Sequence, residues 1–178
     1  RSCYPMGKAA AEALCHAYAC GAKLPVKIVR IAHTYAPLMP LDDGRGFADF
    51  VGNVLREEDI VLTSDGSAER PFLYIVDAVR AYFRILFLGV PGEAYNVAAE
   101  ENTSILEFAK TIASLCTTRK LNVVFKQTLP EGYMPAPKKT VRISCEKLKA
   151  LGYRRKYSLK EGLQRTIESY HLPDDRDI

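Results

Sequence analysis

The sequence predicts an α/β fold, and three patterns along the chain indicate it. Residues 4–20 form an alanine-rich run with the composition of a helix. A short β-branched run at 26–31 is typical of a buried parallel strand. Helix and strand patterns then continue to alternate as far as residue 170. Because helices that alternate with buried strands build α/β units, we expect a mixed architecture.

Length and composition are those of a folded globular protein. The chain has 178 residues, 48% of them hydrophobic and 26% charged, which suits one domain or parts of two. It begins at Arg1 without an initiator methionine or a signal-peptide pattern. We therefore expect it to be a fragment of a longer protein.

The charge and hydropathy patterns argue against two classes of partner. The net charge of +4 is mild, and we expect the basic cluster at 154–156 to be a solvated face, not a nucleic-acid site. The longest apolar run, 85–90, is far too short to cross a bilayer. The sequence predicts no nucleic-acid partner and no membrane span.

The cysteines favour a reducing compartment. The chain has five of them, an odd number, and no two are spaced as Cys-x-x-Cys. This pattern supports neither a disulfide framework nor a zinc site. We expect a cytoplasmic protein without a bound metal.

The first helix and strand lead into the region where a site is expected. Gly21 is a helix-stop signal, and Pro25 introduces the strand at 26–31. A loop rich in Pro and Gly then runs to Gly46. Ligands of open α/β sheets bind beyond the carboxyl ends of strands, so this loop is a candidate site. Its Gly44-x-Gly46 pair lacks the third glycine of a dinucleotide fingerprint.

The remaining elements follow from periodicity and from helix-start signals. Asp77 resembles a helix N-cap, and Thr103 or Ser104, with Glu107, resembles a capping box. The predicted elements are helices at 47–57, 78–88, 104–116, 146–151 and 159–170, and strands at 60–62, 70–76, 93–98, 121–125 and 140–143.

Tyr4 and Lys8 are the first candidate catalytic pair. They are one helical turn apart, so a phenol and an ammonium share a helix face. A cation beside a phenol favours the phenolate and moves its pKa from about 10 towards the range of a general base. The chain has ten tyrosines, so this spacing also arises by chance. The rest of the sequence has to decide between the two interpretations.

A set of motifs in a fixed order supports the catalytic interpretation. Together they resemble the C-terminal half of an extended short-chain dehydrogenase/reductase of the nucleotide-sugar epimerase/dehydratase family, closest to its decarboxylase and 4,6-dehydratase branches. The motifs are Tyr4-x-x-x-Lys8, the strand and turn 29–37, Asp43-Gly44-Arg45, the stretch 65–77, Tyr95-Asn96-Val97 and the segment 147–153.

This resemblance implies a role for each of five residues. Tyr4 would be the catalytic base, and Lys8 would hold the nicotinamide ribose of NAD, so both are also cofactor-binding candidates. Arg45 and Arg70 would bind the substrate, because a forked guanidinium suits diphosphate oxygens. His33 replaces the family's usual Asn and could contact the nicotinamide or the substrate. A packed histidine without a function is the alternative for His33.

The resemblance also implies a fold and a domain division. It implies the C-terminal part of a Rossmann-type doubly wound sheet, with a small α/β substrate-binding lobe. Residues 1–37 and 71–99 would belong to the Rossmann domain, and residues 38–70 and 100–178 to the lobe. Helix 4–20 commonly packs against a partner in this family, so a homodimer is also expected.

The implied function is that of an NAD-dependent enzyme acting on a nucleoside-diphosphate sugar. Epimerisation, 4,6-dehydration and decarboxylation all begin with hydride abstraction from the sugar ring, and the motifs do not separate them. The chain has no glycine-rich phosphate loop, so we expect it to be inactive by itself. The alternative is a regulatory member of the same fold that binds nucleotide sugar or NAD without turnover.

Overall fold

The computed structural model describes residues 3–41, 44–126, 140 and 142–171. Helices and strands alternate along them, as the sequence predicts. The helices are α1 (Cys3–Gly21), α2 (Gly46–Leu55), α3 (Ile75–Leu88), α4 (Ile105–Ala113), α5 (Glu146–Ala150) and α6 (Leu159–Glu168). The strands are β1 (Ile28–Ile31), β2 (Thr34–Tyr35), β3 (Ile60–Leu62), β4 (Glu69–Arg70), β5 (Leu73–Tyr74), β6 (Ala94–Val97), β7 (Thr103–Ser104) and β8 (Val123–Phe125).

The strands of the described residues form four pairs. Three are parallel, β1 with β6, β2 with β5 and β3 with β8, and the fourth, β4 with β7, is antiparallel. Parallel pairs require crossover connections, and helices such as α3 and α4 lie within them. The α/β class predicted from the sequence is therefore confirmed.

Most of the apolar core surrounds Phe108 on α4. This cluster draws buried side chains from α2, β3, β5, α4 and α6, among them Val51, Ile60 and Leu163. Gly162 brings α6 close to the strands, since a Cβ there would lie 3.0 Å from Cγ of Tyr74 and would also meet Tyr35. Only glycine permits this approach, which closes the core over β2 and β5.

A second cluster lies around α3 and β6. Its buried members include Ala81, Ile85, Val97 and Leu148, so α5 packs on the β1–β6 pair together with α3. Beside this cluster, the outer face of α3 is exposed, and the rings of Phe83 and Phe87 stack there with their centroids 6.2 Å apart. The domain division predicted from the sequence stays a prediction.

Asp77 is not the N-cap that the sequence suggested. Helix α3 begins two residues earlier, at Ile75, and Asp77 lies in its first turn, fully buried. Its carboxylate accepts the backbone N–H groups of Lys156 and Tyr157 at 2.9 and 3.0 Å and pairs with Arg80 at 2.7 Å. Asp77 therefore joins α3 to the segment that precedes α6.

The prediction of a single strand at 70–76 is wrong, because Pro71 interrupts it. Pro71 has no N–H to donate, and the chain turns there, with Phe72 N–H donating to Arg70 at 3.1 Å. The segment splits into β4, which pairs with β7, and β5, which pairs with β2. No strand forms at the described residues 140, 142 and 143, so that prediction is wrong as well.

Other helix predictions hold with shifted ends. Ser104 caps α4, and its hydroxyl accepts Glu107 N–H at 3.0 Å, but the helix ends at Ala113 and not near Cys116.

Strand β1 is less buried than predicted, since Ile28 is buried whereas Ile31 is 45% exposed. In the described part of the chain, no helix combines the length and apolar character that crossing a bilayer requires.

Candidate active site

Three of the five predicted site residues line one cavity. His33 follows β1, Arg45 precedes α2 and lies next to Phe47, and Arg70 ends β4. The cavity has a volume of about 320 Å³, at the lower end of the range for small-molecule sites. Its lining consists of these three polar residues and an apolar wall made by Gly46, Phe47, Phe50, Ala68, Phe72, Ile105 and Phe108.

The apolar wall is a cluster of phenylalanine rings held by the core. Phe72 and Phe108 lie with their ring centroids 4.4 Å apart, and Phe47 lies 6.3 Å from Phe72. Phe50, Phe72 and Phe108 are buried, so their positions are fixed by packing. The sequence pattern predicted a helix at 47–57 and a strand at 70–76 but did not indicate these rings as site residues.

Two guanidinium groups give this cavity a positive charge. The Arg45 guanidinium lies 4.8 Å from the ring centroid of Phe47, a cation–π contact that supports the side chain. Arg70 is half-buried and donates to the backbone carbonyl of Glu69 at 2.7 Å. Flat aromatic faces beside guanidinium groups suit a ligand that combines a planar ring with phosphate groups.

His33 is held at the mouth of this cavity. Its carbonyl accepts the N–H of Leu73 at 2.8 Å, and its ring meets the edge of Phe72 at a centroid distance of 6.0 Å. The residue as a whole is exposed, but neighbouring protein atoms partly desolvate the imidazole and lower its pKa, and the charge of Arg70 lowers the pKa further. His33 is therefore placed to meet a ligand and is not packed in the core.

Tyr4 and Lys8 lie elsewhere, on helix α1. The Lys8 ammonium lies 5.5 Å from the ring centroid of Tyr4, which confirms that the two side chains share a helix face. Tyr4 is 74% exposed, and α1 has no buried residue. An ion pair between Arg30 and Glu12 links this helix to β1. Neither Tyr4 nor Lys8 lines the cavity of His33, Arg45 and Arg70.

One predicted motif can be followed only in part. Asp43, the first residue of the Asp43-Gly44-Arg45 motif, lies outside the described residues, as do residues 127–139. In the described part of the chain, no group of three or more His, Cys, Asp or Glu side chains is arranged to hold a metal ion.

Comparison with known proteins decides the family. The model of the NAD-dependent epimerase/dehydratase family matches residues 1–98, which is more than half of the chain. The chain belongs to the NAD-dependent epimerase/dehydratase family. This finding confirms the family that the ordered sequence motifs indicated.

The curated relatives carry the names of nucleotide-sugar enzymes. The chain is 32% identical over 170 residues to UDP-glucuronic acid decarboxylase 1 of Danio rerio, covering 96% of the chain and 39% of the relative. It is 31% identical over 173 residues to dTDP-D-glucose 4,6-dehydratase of Bos taurus, covering 94% and 47%. These are the two branches expected from the sequence, and the chain spans less than half of either relative.

Solved structures of the family confirm the Rossmann-type fold. The dTDP-glucose 4,6-dehydratase of Bacillus anthracis, solved with NAD, superposes with a TM-score of 0.75 at 26% identity, over 96% of this chain and 52% of that one. UDP-glucose 4-epimerase of Thermotoga maritima, solved with UDP-glucose, gives 0.80 at 25% identity, over 94% and 53%. The family fold therefore accounts for nearly all of this chain.

Proposed function

We propose that this chain forms the substrate-binding half of an NAD-dependent enzyme that acts on a nucleoside-diphosphate sugar. The observation that carries the proposal is the cavity that brings His33, Arg45 and Arg70 together over a phenylalanine wall. The names of the relatives support the substrate class, since they are a UDP-sugar decarboxylase and a dTDP-sugar dehydratase.

The cavity has separate groups for the two parts of a nucleoside diphosphate. The guanidinium groups of Arg45 and Arg70 would hold the diphosphate through charge-assisted hydrogen bonds. The half-buried ring of Phe47 offers an apolar face to the base, and the buried rings of Phe72 and Phe108 lie behind it. A volume of about 320 Å³ accommodates part of such a ligand, so the sugar would extend out of the cavity towards solvent.

Tyr4 and Lys8 fit one end of the cofactor. Their shared face on α1 is exposed, which leaves a hydroxyl and an ammonium available to the nicotinamide ribose. No Gly-x-Gly-x-x-Gly occurs in the 178 residues, so the residues that cradle the pyrophosphate are not supplied by this chain. NAD, when bound, supplies the hydride acceptor. Tyr4 would take the proton from the sugar hydroxyl, and Lys8 would position the ribose.

The chemistry that follows the first oxidation stays open within this proposal. Epimerisation, 4,6-dehydration and decarboxylation share that step. A homodimer formed through α1 and a location in the cytoplasm remain predictions. The competing proposal is a binding protein without turnover, and the exposed position of Tyr4 outside the cavity is the observation that favours it.

The proposed function is tested by nucleotide-sugar binding to the chain. We expect UDP-glucose or dTDP-glucose to bind, and Arg70→Ala to weaken binding by about tenfold or more, because a charge-assisted contact contributes about 1.5–3 kcal/mol. Calorimetric titration measures both affinities. Arg154→Ala is the matched control, since it removes the same charge from an exposed residue outside the cavity.

Two results would contradict the proposal. One is that neither nucleotide sugar binds the folded chain, and the other is that Arg70→Ala and Arg154→Ala have equal effects. Binding without NAD-dependent turnover, in a polypeptide of the relatives' length that contains this chain, would favour the binding protein instead.

A further inference from the structure

Helix α3 carries apolar side chains on two opposite faces. One face packs into the core through Ala78, Ala81 and Ile85. The opposite, outer face is exposed to solvent and consists of Val76, Val79, Phe83, Leu86 and Phe87. A surface helix of a globular protein normally presents polar residues on the side away from the core. A contiguous apolar face in that position indicates a contact surface.

The spacing of this outer face is that of a helix-pairing stripe. Val76, Val79, Phe83 and Leu86 follow one another at intervals of three, four and three residues, which is the a/d spacing of a heptad. Side chains at this spacing interdigitate with a similar stripe on another helix. Phe87 lies beside the stripe, 73% exposed, and its ring stacks on that of Phe83. The occupant that fits this periodicity is an amphipathic helix.

A groove lies beside the outer face, between α3 and the turn at 152–154. Its volume is about 440 Å³, and its apolar lining comes from Phe83, Phe87, Leu88 and Tyr153. A concave surface of this kind receives side chains that project from a protein partner. A protein partner therefore fits the groove better than the surface of a lipid bilayer does.

Arg84 gives the groove a fixed positive charge. Its Nε donates to the carbonyl of Leu151 at 2.6 Å. Gly152 has a φ of 78° and lies against the guanidinium, where a Cβ would collide with it. Arg80 also lines the groove but pairs with Asp77, whereas no described acidic residue lines the groove to pair with Arg84. An exposed guanidinium held in this way is available to a carboxylate of a partner.

A second cation lies near the C-terminal end of α3. The Lys27 ammonium donates to the carbonyl of Leu86 at 2.8 Å. Two copies of this face related by a two-fold axis would each bring Arg84 and Lys27 to the contact. Like charges across an interface repel, so a second copy of the chain is disfavoured and an acidic partner is favoured.

We propose that the outer face of α3 is a docking site for an acidic amphipathic helix of another protein. The apolar stripe of that helix packs on Phe83 and Phe87, and its carboxylates lie beside Arg84 and Lys27. The docking site shares no lining residue with the candidate active site, so the proposal does not depend on the proposed function.

Two synthetic helical peptides test the proposal. Both have three heptads with Leu at the a and d positions, and the e and g positions are Glu in the acidic peptide and Lys in the basic one. Like charges at e and g keep each peptide from pairing with itself. Fluorescence anisotropy of labelled peptide, titrated with the chain, measures affinity. We expect the acidic peptide to bind about tenfold more tightly or better, with an advantage that shrinks as salt is added.

Variants of exposed residues make the test specific. Phe83→Ala and Phe87→Ala should each weaken binding of the acidic peptide by about tenfold or more, because aromatic anchors dominate such contacts. Phe125→Ala is the matched control, since Phe125 is an exposed phenylalanine on β8, and it should leave the affinity unchanged. Arg84→Glu should reverse the preference in favour of the basic peptide. Circular dichroism checks that each variant is folded.

The outcomes decide between this occupant and the others. A preference for the acidic peptide that is lost in Phe83→Ala and kept in Phe125→Ala supports the proposal. Equal affinity for the two peptides, or equal effects of these two substitutions, overturns it. Failure of the acidic peptide to bind also overturns it, and binding to phosphatidylserine vesicles or a dimer in sedimentation would then identify a membrane or a second copy as the occupant.

A longer polypeptide provides a further check on the docking site. We expect the acidic peptide to bind a polypeptide of the relatives' full length that contains this chain as tightly as it binds the chain itself. Binding to the chain alone would overturn the proposal, because the rest of that polypeptide would then cover the outer face of α3.

Discussion

The cavity of His33, Arg45 and Arg70 and the pair on α1 are fixed by different kinds of interaction. The cavity wall belongs to the core around Phe108, which is fully buried. Helix α1 has no buried residue, and its Tyr4–Lys8 geometry follows from helical spacing alone. Tertiary packing therefore sets the shape of the cavity of His33, Arg45 and Arg70, whereas the arrangement of Tyr4 and Lys8 depends on local structure.

The largest expected effect separates the chemical roles of the two regions. In a polypeptide that contains this chain and has the full length of its relatives, Tyr4→Phe should lower NAD-dependent turnover by about a hundredfold to ten-thousandfold, which is the usual contribution of a general base. Nucleotide-sugar affinity should stay unchanged, because Tyr4 lies outside the cavity. Steady-state kinetics and calorimetry measure the two quantities. Full turnover in Tyr4→Phe would remove the catalytic role from α1.

The second effect compares one substitution in both regions. Leu163→Ala on α6 removes a side chain with no exposed surface and should lower the free energy of unfolding by about 2–5 kcal/mol. Leu14→Ala on α1 trims a side chain that is 59% exposed and should change it by less than about 0.5 kcal/mol. Urea denaturation measures both. A decrease of more than about 1 kcal/mol in the free energy of unfolding for Leu14→Ala would contradict this expectation and would mean that Leu14 is buried in a contact in solution.

The third and smallest effect concerns Asp77, which holds the segment before α6 in place. Asp77→Asn should lower the free energy of unfolding by about 1–3 kcal/mol, because a buried acceptor of two backbone N–H groups becomes partly a donor. Thermal unfolding followed by circular dichroism measures the loss.

Asp59→Asn is the matched control for the Asp77 substitution. Asp59 accepts the N–H of Asn122 and pairs with Arg119, both at 2.9 Å, but its side chain is 34% exposed. Water replaces lost partners at an exposed site, so the loss should be smaller there. Equal losses would mean that burial does not decide the strength of these carboxylate contacts.

Local signals predicted most of the elements but failed where Pro71 interrupts an apolar run. The β-branched and apolar residues of 70–76 indicate a strand, yet the missing N–H splits the run between two strand pairs. Asp77 fits the composition of an N-cap, but its buried carboxylate accepts the backbone N–H groups of residues 156 and 157 instead. These partners are about 80 residues away, so no local pattern reveals them.

The sequence by itself determined the family, the α/β class, the pairing of Tyr4 with Lys8 and the choice of Arg45, Arg70 and His33. The first three follow from motif order, alternating patterns and helical spacing, and the choice of Arg45, Arg70 and His33 follows from the resemblance to the family. Only the tertiary structure decided that three of the five residues share one cavity and that four phenylalanines line it. Their elements are brought together by a core of long-range contacts around Phe108, and such contacts are set by packing and not by spacing along the chain.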